Sequence, residues 1–239
     1  AAAIGASGLT GSLVGASIVL VKGARTFESG LTVTGSATQS IQSDMANWLI
    51  KIESTGSTQT KSYRNHQVSI KKTLDFLESN GIREESIKRQ TLVLGPANSQ
   101  KKEIRNPKNG ELISTTWTTS QWFRIESRDV NNIFKTHQKI GQLIGEGVLV
   151  KPNKPKFTYT KLAEKRVDMI AKATKDARLR AEAIALQTGS QVGSVKKVNT
   201  GVFQITVPNS TRVSSWGSYD TSTIKKDITA VMGVTFSIE

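Results

Sequence analysis

The chain has 239 residues, 36% of them hydrophobic, with 33 Lys and Arg against 19 Asp and Glu and no cysteine. This composition excludes an intrinsically disordered chain, and the lack of cysteine excludes disulfides, thiolate zinc sites and cysteine nucleophiles. The net charge of +14 favours polyanionic partners, but the basic residues are spread along the chain without the dense block typical of a nucleic-acid-binding arm.

The first 21 residues carry no charge, and Lys22 and Arg25 follow them. About 20 apolar residues suffice for a helix to cross a bilayer, so the stretch predicts a transmembrane anchor helix over residues 1–22. Gly, Ala, Ser and Thr make up most of it, however, and a buried helix of a soluble domain fits the same pattern. The basic start of a secretory signal peptide is not seen, and the glycine spacing excludes a dinucleotide-binding loop.

Small residues recur within this stretch at the spacing of one helical turn. Gly11 and Gly15 form a small-xxx-small pair, and Gly8 and Ser12 form a second one. Such pairs let helix backbones approach closely inside a membrane. A single helix surrounded by lipid gains nothing from them, so the spacing predicts a membrane helix that packs against copies of itself.

Hydrophobic periodicity predicts strands and helices in the first half of the remaining chain. Strands are expected over residues 31–37 and 46–52, a helix over 61–79, and further strands within 86–96 and 113–125. The residues expected to share one face of these elements are Leu31, Val33, Gly35 and Ala37; Ala46, Trp48, Ile50 and Ile52; Tyr63, Gln67, Ile70, Leu74 and Leu77; and Ile113, Thr115, Trp117, Thr119, Gln121, Phe123 and Ile125.

The second half predicts helices over residues 129–145 and 159–188, a strand over 192–207, a Ser/Thr-rich loop over 208–223 and a closing strand. Helices interleaved with hairpin-joined strands predict an α+β domain over residues 31–239, with a largely antiparallel sheet and about three packed helices. The expected faces are Val130, Ile133, Phe134, His137, Ile140 and Ile144; Ala163, Val167, Ile170, Thr174, Ala177, Ala181, Ile184 and Thr188; and Ile228, Ala230, Met232, Val234, Phe236 and Ile238.

Several stretches of this domain resemble, in order, the SIMPL domain family (domain of unknown function 541). They include "LTVTGSATQSIQSDMANWLIKI", "LDFLESNGIREESIKRQTLVLGP" and the closing "IKKDITAVMGVTFSIE". The resemblance implies an exported or envelope protein of bacterial type behind an N-terminal signal or anchor. It also implies assembly, since some members form large channel-like rings, and it carries over no catalytic residue. The matching positions are Val33, Gly35, Asp44, Ala173, Asp176, Ala177, Ala181 and Gly193.

Residues suited to catalysis or metal binding are few. His66 and His137 are the only histidines, and neither has a second ligand at metal spacing. His137 lies on an apolar stripe and is expected to be buried and hydrogen-bonded. Asp44 is expected to bond its own turn rather than act as an acid. Neither a nucleophile elbow nor a phosphate-binding loop occurs, so no catalytic, metal or cofactor-binding residue is predicted.

Trp216 and Tyr219, in the Ser/Thr-rich loop, are candidates for contact with a neighbouring subunit. A mobile loop tip explains them equally well. Trp117 and Trp122 are expected on opposite faces of one strand, which excludes a shared stacking platform for nucleic acid.

These features predict a non-enzymatic protein anchored in the bacterial inner membrane, with its domain in the periplasm, that assembles into a ring or channel-like particle. Its expected partners are its own copies and the bilayer, without nucleic acid, cofactor or small-molecule substrate. Lys22 and Arg25 instead favour a cytoplasmic flank. A basic module that binds polyanions or nucleic acid at a membrane surface is the alternative, and an enzyme with an unrecognised site ranks last.

Overall fold

The computed structural model describes residues 30–97, 104–105, 108–109, 112–114, 116–210 and 217–239. The predicted anchor over residues 1–22 lies outside them. None of the helices within these ranges is long and apolar enough to cross a membrane.

The elements of the first half, in chain order, are β1 (Gly30–Gln42), β2 (Met45–Gly56), α1 (Gln59–Ser79), a 3-10 turn (Glu84–Ser86), β3 (Ile87–Arg89), β4 (Val93–Pro96), β5 (Ile104–Arg105), β6 (Leu112–Ser114) and β7 (Trp117–Ser127). Those of the second half are α2 (Val130–Lys139), α3 (Gln142–Gly145), β8 (Leu149–Pro152), β9 (Lys156–Thr158), α4 (Leu162–Thr188), β10 (Val192–Thr206), β11 (Ser218–Tyr219) and β12 (Lys225–Ile238).

Two main sheets carry the helices, which confirms the α+β class and the antiparallel pairing but corrects the expectation of one sheet. Sheet A has the order β1-β12-β10-β11, with only β11 parallel to its neighbour. Sheet B has the order β3-β7-β2-β8, with β4 also on β7 and β9 also on β2, and β5 and β6 form a separate hairpin. Strands β1 and β2 are separated by two residues yet lie in different sheets, because β1 pairs with the last strand of the chain and β2 with β7.

Sheet A is covered by α4, which packs through a row of alanines spaced four residues apart. Ala173, Ala177, Ala181 and Ala185, here called the alanine row, are buried together with Met169. On the opposing face of β12, alternate residues are buried as predicted. A residue every four positions forms one ridge of a helix, and a ridge of methyl groups brings the helix backbone close to the strands.

The predicted stripe of α4 is therefore confirmed only in its middle, where Ala177 and Ala181 are buried and Ile170 packs against the core, and it is wrong toward both ends of the helix. Val167, for example, is 70% exposed. The close approach of α4 to sheet A explains why alanines form the buried row. A Cβ atom on Gly35 of β1 would lie 2.2 Å from the Ala173 carbonyl oxygen and 2.4 Å from the Ala177 amide nitrogen. Larger side chains on the ridge would hold α4 away from the sheet.

Sheet B is covered by α1, which begins at the capping residue Thr58, and by α2, which Asp129 caps. The predicted core positions Ala46, Trp48, Ile50 and Ile52 of β2 are all fully buried. The predicted stripe of α1 is wrong in part: Ile70 and Leu77 are buried, but Tyr63 is exposed.

The buried side of α1 is instead largely polar. Its fully or nearly fully buried side chains include Ser62, His66, Ser69 and Thr73. The Ser62 hydroxyl bonds to the Thr119 hydroxyl at 2.8 Å, and the Ser54 hydroxyl donates to the Ser69 hydroxyl at 3.0 Å. We call the five hydroxyl residues Ser54, Ser62, Ser69, Thr73 and Thr119, together with His66, the hydroxyl layer.

The predicted helix over 129–145 is two helices, because α2 ends at Lys139 and α3 begins at Gln142. Val130, Ile133 and Ile140 are buried as predicted, but other positions of the predicted face are not. Phe134 and Ile144 are exposed, whereas Thr136 and Leu143 are buried.

The two sheets meet at the corner between β1 and β2. The Ser43 amide donates to the Ile224 carbonyl at 2.8 Å, and the Asp44 amide donates to the Thr158 carbonyl at 3.0 Å. The Phe157 amide donates to the Thr221 carbonyl at 2.8 Å. Backbone hydrogen bonds thus connect the two halves on both sides of this corner.

Candidate subunit interface

Tyr219 lies in β11, which pairs in parallel with Gln204 and Ile205 of β10. Its side chain is 44% exposed. Gly217 leads into the strand with a φ of +85°, and a Cβ atom there would lie 3.0 Å from the Phe203 carbonyl oxygen. The structure thus places Tyr219 on a strand, whereas Trp216 lies outside the described residues.

The residue after Tyr219 anchors a tight polar turn. The Asp220 carboxylate accepts hydrogen bonds from the Ser222 amide at 2.8 Å, the Ser222 hydroxyl at 2.6 Å and the Lys226 ammonium at 3.0 Å. Lys226 is fully buried, and it also donates to the Thr223 carbonyl. Burial alone would raise the pKa of Asp220, but bonds from Ser222, Thr223 and Lys226 outweigh it and hold that pKa far below its ordinary value. The turn keeps Tyr219 in a fixed position.

A shallow cavity of about 250 Å³ lies beside Tyr219. Phe203 and Ile205 form its apolar part, and the Arg166 guanidinium lies 5.6 Å from the centre of the Phe203 ring. An exposed tyrosine beside an apolar depression with an arginine is the residue combination enriched in protein interfaces.

The strand that leads to this cavity is the least covered element of sheet A. Residues 194–201 of β10, eight in succession, are exposed. Successive residues of a strand point to opposite faces, so both faces of this part of β10 are open. Val195 and Val198 are 49% and 48% exposed.

One edge of β10 is open as well. The strand pairs with β12 along its length, but β11 covers only Gln204 and Ile205 on the other side. Over residues 192–203 that second edge has no strand partner in the described part of the chain. A long open edge offers unpaired amide and carbonyl groups to another strand.

The opposite edge of the sheet, formed by β1, is treated differently. The Ser36 amide donates to the Asp176 carboxylate of α4 at 2.8 Å, and Lys172 of α4 donates to the Gln39 side chain at 2.8 Å. Side chains of α4 thus reach over the middle of the β1 edge, whereas no helix contributes such bonds to the described β10 edge, and the β10 edge is the candidate interface.

A family comparison fits this fold. Residues 31–236 match the model of the SIMPL family, described as proteins of unknown function (DUF541). The chain belongs to the SIMPL family. No curated protein matches it.

The histidines of this SIMPL domain occupy two different environments. His66 is fully buried in the hydroxyl layer, and neither Nδ1 nor Nε2 has a hydrogen-bond partner among the described residues. Burial lowers the pKa of His66. His137 is half-buried and packs edge-on against Trp48 with ring centres 5.5 Å apart, and burial together with Lys154 lowers its pKa. No cluster of three or more potential metal ligands occurs within the described ranges.

Asp44 was expected to bond its own turn, but its side chain instead bonds to a residue far along the chain. Its two carboxylate oxygens accept from the amide and the hydroxyl of Thr160, each at 2.7 Å. Burial opposes these bonds, which nevertheless lower the pKa of Asp44. In this SIMPL domain Asp44 therefore ties the corner between the sheets to the start of α4.

The burial of His66 and Lys226 was not predicted, although a pattern in the sequence indicates both. Lys226 occupies an inward position in the alternation of β12 that continues through Ile228 and Ala230. His66 follows Ser62 and precedes Ser69 at helical spacing, so the three share one face of α1. Polar residues at inward positions of an otherwise regular pattern indicate a buried polar network.

Proposed function

We propose that the protein is a non-enzymatic, membrane-anchored component of the bacterial cell envelope that self-assembles into a ring or channel-like particle. The observation that carries the proposal is the exposure of β10 over residues 194–201 on both faces and along one edge. Val195 and Val198 of this segment contribute apolar area that an isolated subunit leaves in water.

Tyr219 and the cavity beside it extend this surface. In a closed ring each interface joins two different patches, so the β10 edge of one copy meets another surface of the next. Such a heterologous contact buries the open edge in every subunit.

The anchor belongs to the same proposal. Residues 1–21 are uncharged and carry Gly8, Gly11, Ser12 and Gly15 at close-packing positions. Helices that pack in the inner membrane and domains that meet in the periplasm would reinforce each other, because tethering raises the effective concentration of the second contact.

Extraction of the full chain into neutral detergent, followed by a mass measurement, tests the assembly. We expect a particle of many subunits for the natural sequence. The double variant V195K/V198K should shift the mass toward the monomer, since each lysine puts a charge into the interface. V68K, at an exposed valine of α1, is the matched control and should leave the mass unchanged. A monodisperse monomer of the natural sequence would overturn the proposal.

The helix contribution is tested separately with G11L/G15L, which blocks close approach while keeping the stretch apolar. We expect a partial loss of the large particle in detergent, with smaller species retained through the β10 surface. S17L adds a leucine outside the pair and serves as the control. Equal masses for the two variants would exclude packing through Gly11 and Gly15.

A further inference from the structure

The outer face of sheet B, opposite to α1 and α2, carries a second surface. Met45, Asn47 and Leu49 of β2 point to this side, because they alternate with buried Ala46, Trp48 and Ile50. Across the sheet, β7 places Arg124 beside Leu49 and Glu126 beside Asn47. On the other side β9 places Lys156 beside Asn47. Three neighbouring strands thus contribute to one patch.

This patch is concave, with a cavity volume of about 630 Å³. One wall of the cavity is the segment between β8 and β9, which begins at Asn153 directly after the end of β8. The Asn153 amide donates to the Leu49 carbonyl, and its carbonyl accepts from the Trp48 indole, both at 2.9 Å. These bonds fix the wall to the core of sheet B. The volume lies in the range of small-molecule sites.

The two carboxylates of the outer face are already neutralised. Lys88 donates to Glu126 at 2.8 Å, and this bond lowers the pKa of Glu126. Glu53 is paired with Lys51 at 2.9 Å and also with Lys151. Each acid is thus already paired with lysine, and Arg124 lies close enough to Glu126 to add a smaller lowering of its pKa.

Three exposed cations line the cavity beyond these pairs: Arg124, Lys154 and Lys156. None of them forms an ion pair with another described residue. Met45 and Leu49 provide apolar surface between them. The cavity thus combines apolar surface with three cations that form no ion pair with a described residue, and its one lining acid, Glu126, is paired with Lys88.

We propose that this cavity binds an amphiphilic anion, with a phosphate or carboxylate head contacted by Arg124, Lys154 and Lys156 and an aliphatic body lying on Met45 and Leu49. The fork of the arginine suits a bidentate contact with either head group. A nucleic acid is a poorer match, because Trp122, the aromatic side chain of this face, already lies under the Lys51 ammonium at 6.0 Å. This inference does not depend on the assembly of the subunits.

Titration calorimetry with hexyl phosphate tests the site, with the full chain held in phosphatidylcholine nanodiscs. Inorganic phosphate and hexanol supply the head and the body alone. We expect hexyl phosphate to bind at least about tenfold more tightly than either, since one head-group contact or a few buried methylenes each contribute over 1 kcal/mol. Binding of inorganic phosphate as tight as that of hexyl phosphate would overturn the apolar part of the proposal.

The variant R124Q/K156Q should weaken hexyl phosphate binding about tenfold or more. K71Q/K135Q removes the same charge from exposed positions of α1 and α2 and should leave it unchanged. An equal loss in both variants would show general surface attraction and overturn the site, as would oligonucleotide binding that is lost in R124Q/K156Q without any hexyl phosphate binding. Circular dichroism of both variants confirms that the fold is kept.

Phosphatidylglycerol vesicles distinguish the source of the anion. Vesicle binding that is lost in R124Q/K156Q along with hexyl phosphate binding assigns a lipid head group. Hexyl phosphate binding without vesicle binding assigns a free amphiphile. Absence of both would overturn the proposal.

Discussion

The helices that cover the two sheets of this domain pack against them through different kinds of side chain. On sheet A, α4 uses the alanine row and approaches so closely that Gly35 has no room for a side chain. On sheet B, α1 uses the hydroxyl layer, in which buried side chains bond to one another and His66 has no hydrogen-bond partner among the described residues. The alanine row depends on shape, and the hydroxyl layer depends on hydrogen bonding. Changes in volume should therefore affect the alanine row most, and protonation near neutral pH should affect the hydroxyl layer most.

The largest effect is expected for G35A. Its Cβ atom would meet backbone atoms of α4 rather than a movable side chain, so the helix must shift away from the sheet. We expect a loss of about 4 kcal/mol in the free energy of unfolding, measured by urea denaturation. G145A makes the same change where the added Cβ meets no described residue within 4 Å beyond its chain neighbours and its own helix backbone, and it should be neutral or slightly stabilising. Equal stability of the two variants would refute the close approach.

A smaller loss of stability is expected at the polar turn between β11 and β12, which Asp220 anchors. D220N leaves Lys226 charged and without its counterion in a buried position, which should cost about 3 kcal/mol. D220N/K226M removes both charges and should recover much of the loss. A double variant no more stable than the single one would show that the charge of Lys226 is not the cause.

The depressed pKa of Asp220 also predicts a pH effect. The unfolded chain binds the proton at a higher pH than the folded one does, near the ordinary Asp value of about 3.9. The stabilisation should therefore be complete above that value and be lost as the pH falls below it. Urea denaturation from pH 6 to 3 should show this acid loss in the natural sequence and a weaker one in D220N/K226M.

On sheet B, H66L is expected to gain stability, by about 1 kcal/mol at pH 7.5, because the buried imidazole makes no hydrogen bond to the described part of the chain that leucine would lose. The lowered pKa of His66 means that the unfolded chain is protonated first. Stability should consequently fall as the pH drops below about 6.5, by up to about 1.4 kcal/mol per unit. H137Q controls for the half-buried histidine. An unchanged pH slope in H66L would contradict this role of His66.

The smallest effects should come from the solvent sides of the two helices. The exposed pairs Lys71–Asp75 on α1 and Arg178–Glu182 on α4 have the same spacing, with N···O distances of 2.9 and 2.8 Å. K71A and R178A should each cost no more than about 0.5 kcal/mol. A difference of more than 1 kcal/mol between them in thermal unfolding would show that the contrast between the layers extends to their surfaces.

Much of the fold could be predicted because strands that face a single core alternate strictly. The inward positions of β2 and β12 follow from period two alone. The faces of α1 and α4 could not be derived in this way. An apolar stripe does not predict the buried face of α1, because that helix buries polar residues such as Ser62 and Thr73. For α4 the stripe predicts too many buried positions, because mainly a row of alanines packs against the sheet.

The candidate interface, too, could be predicted from the sequence only in part. The exposure of Tyr219 could be inferred from its polar surroundings in the sequence. The openness of β10 could not, since it depends on β12 and β11 as neighbours, and pairing between distant strands leaves no local pattern.

The central claim, that copies meet along β10, is tested most directly by the labelling rate of V198C in the full chain within its membrane. The chain contains no cysteine, so a maleimide reports on this position alone. V68C on α1, exposed to a similar degree in the single subunit, provides the reference rate. The account predicts that V198C reacts at least about tenfold more slowly than V68C, since a neighbouring copy covers it. Equal rates at the two positions would contradict the account.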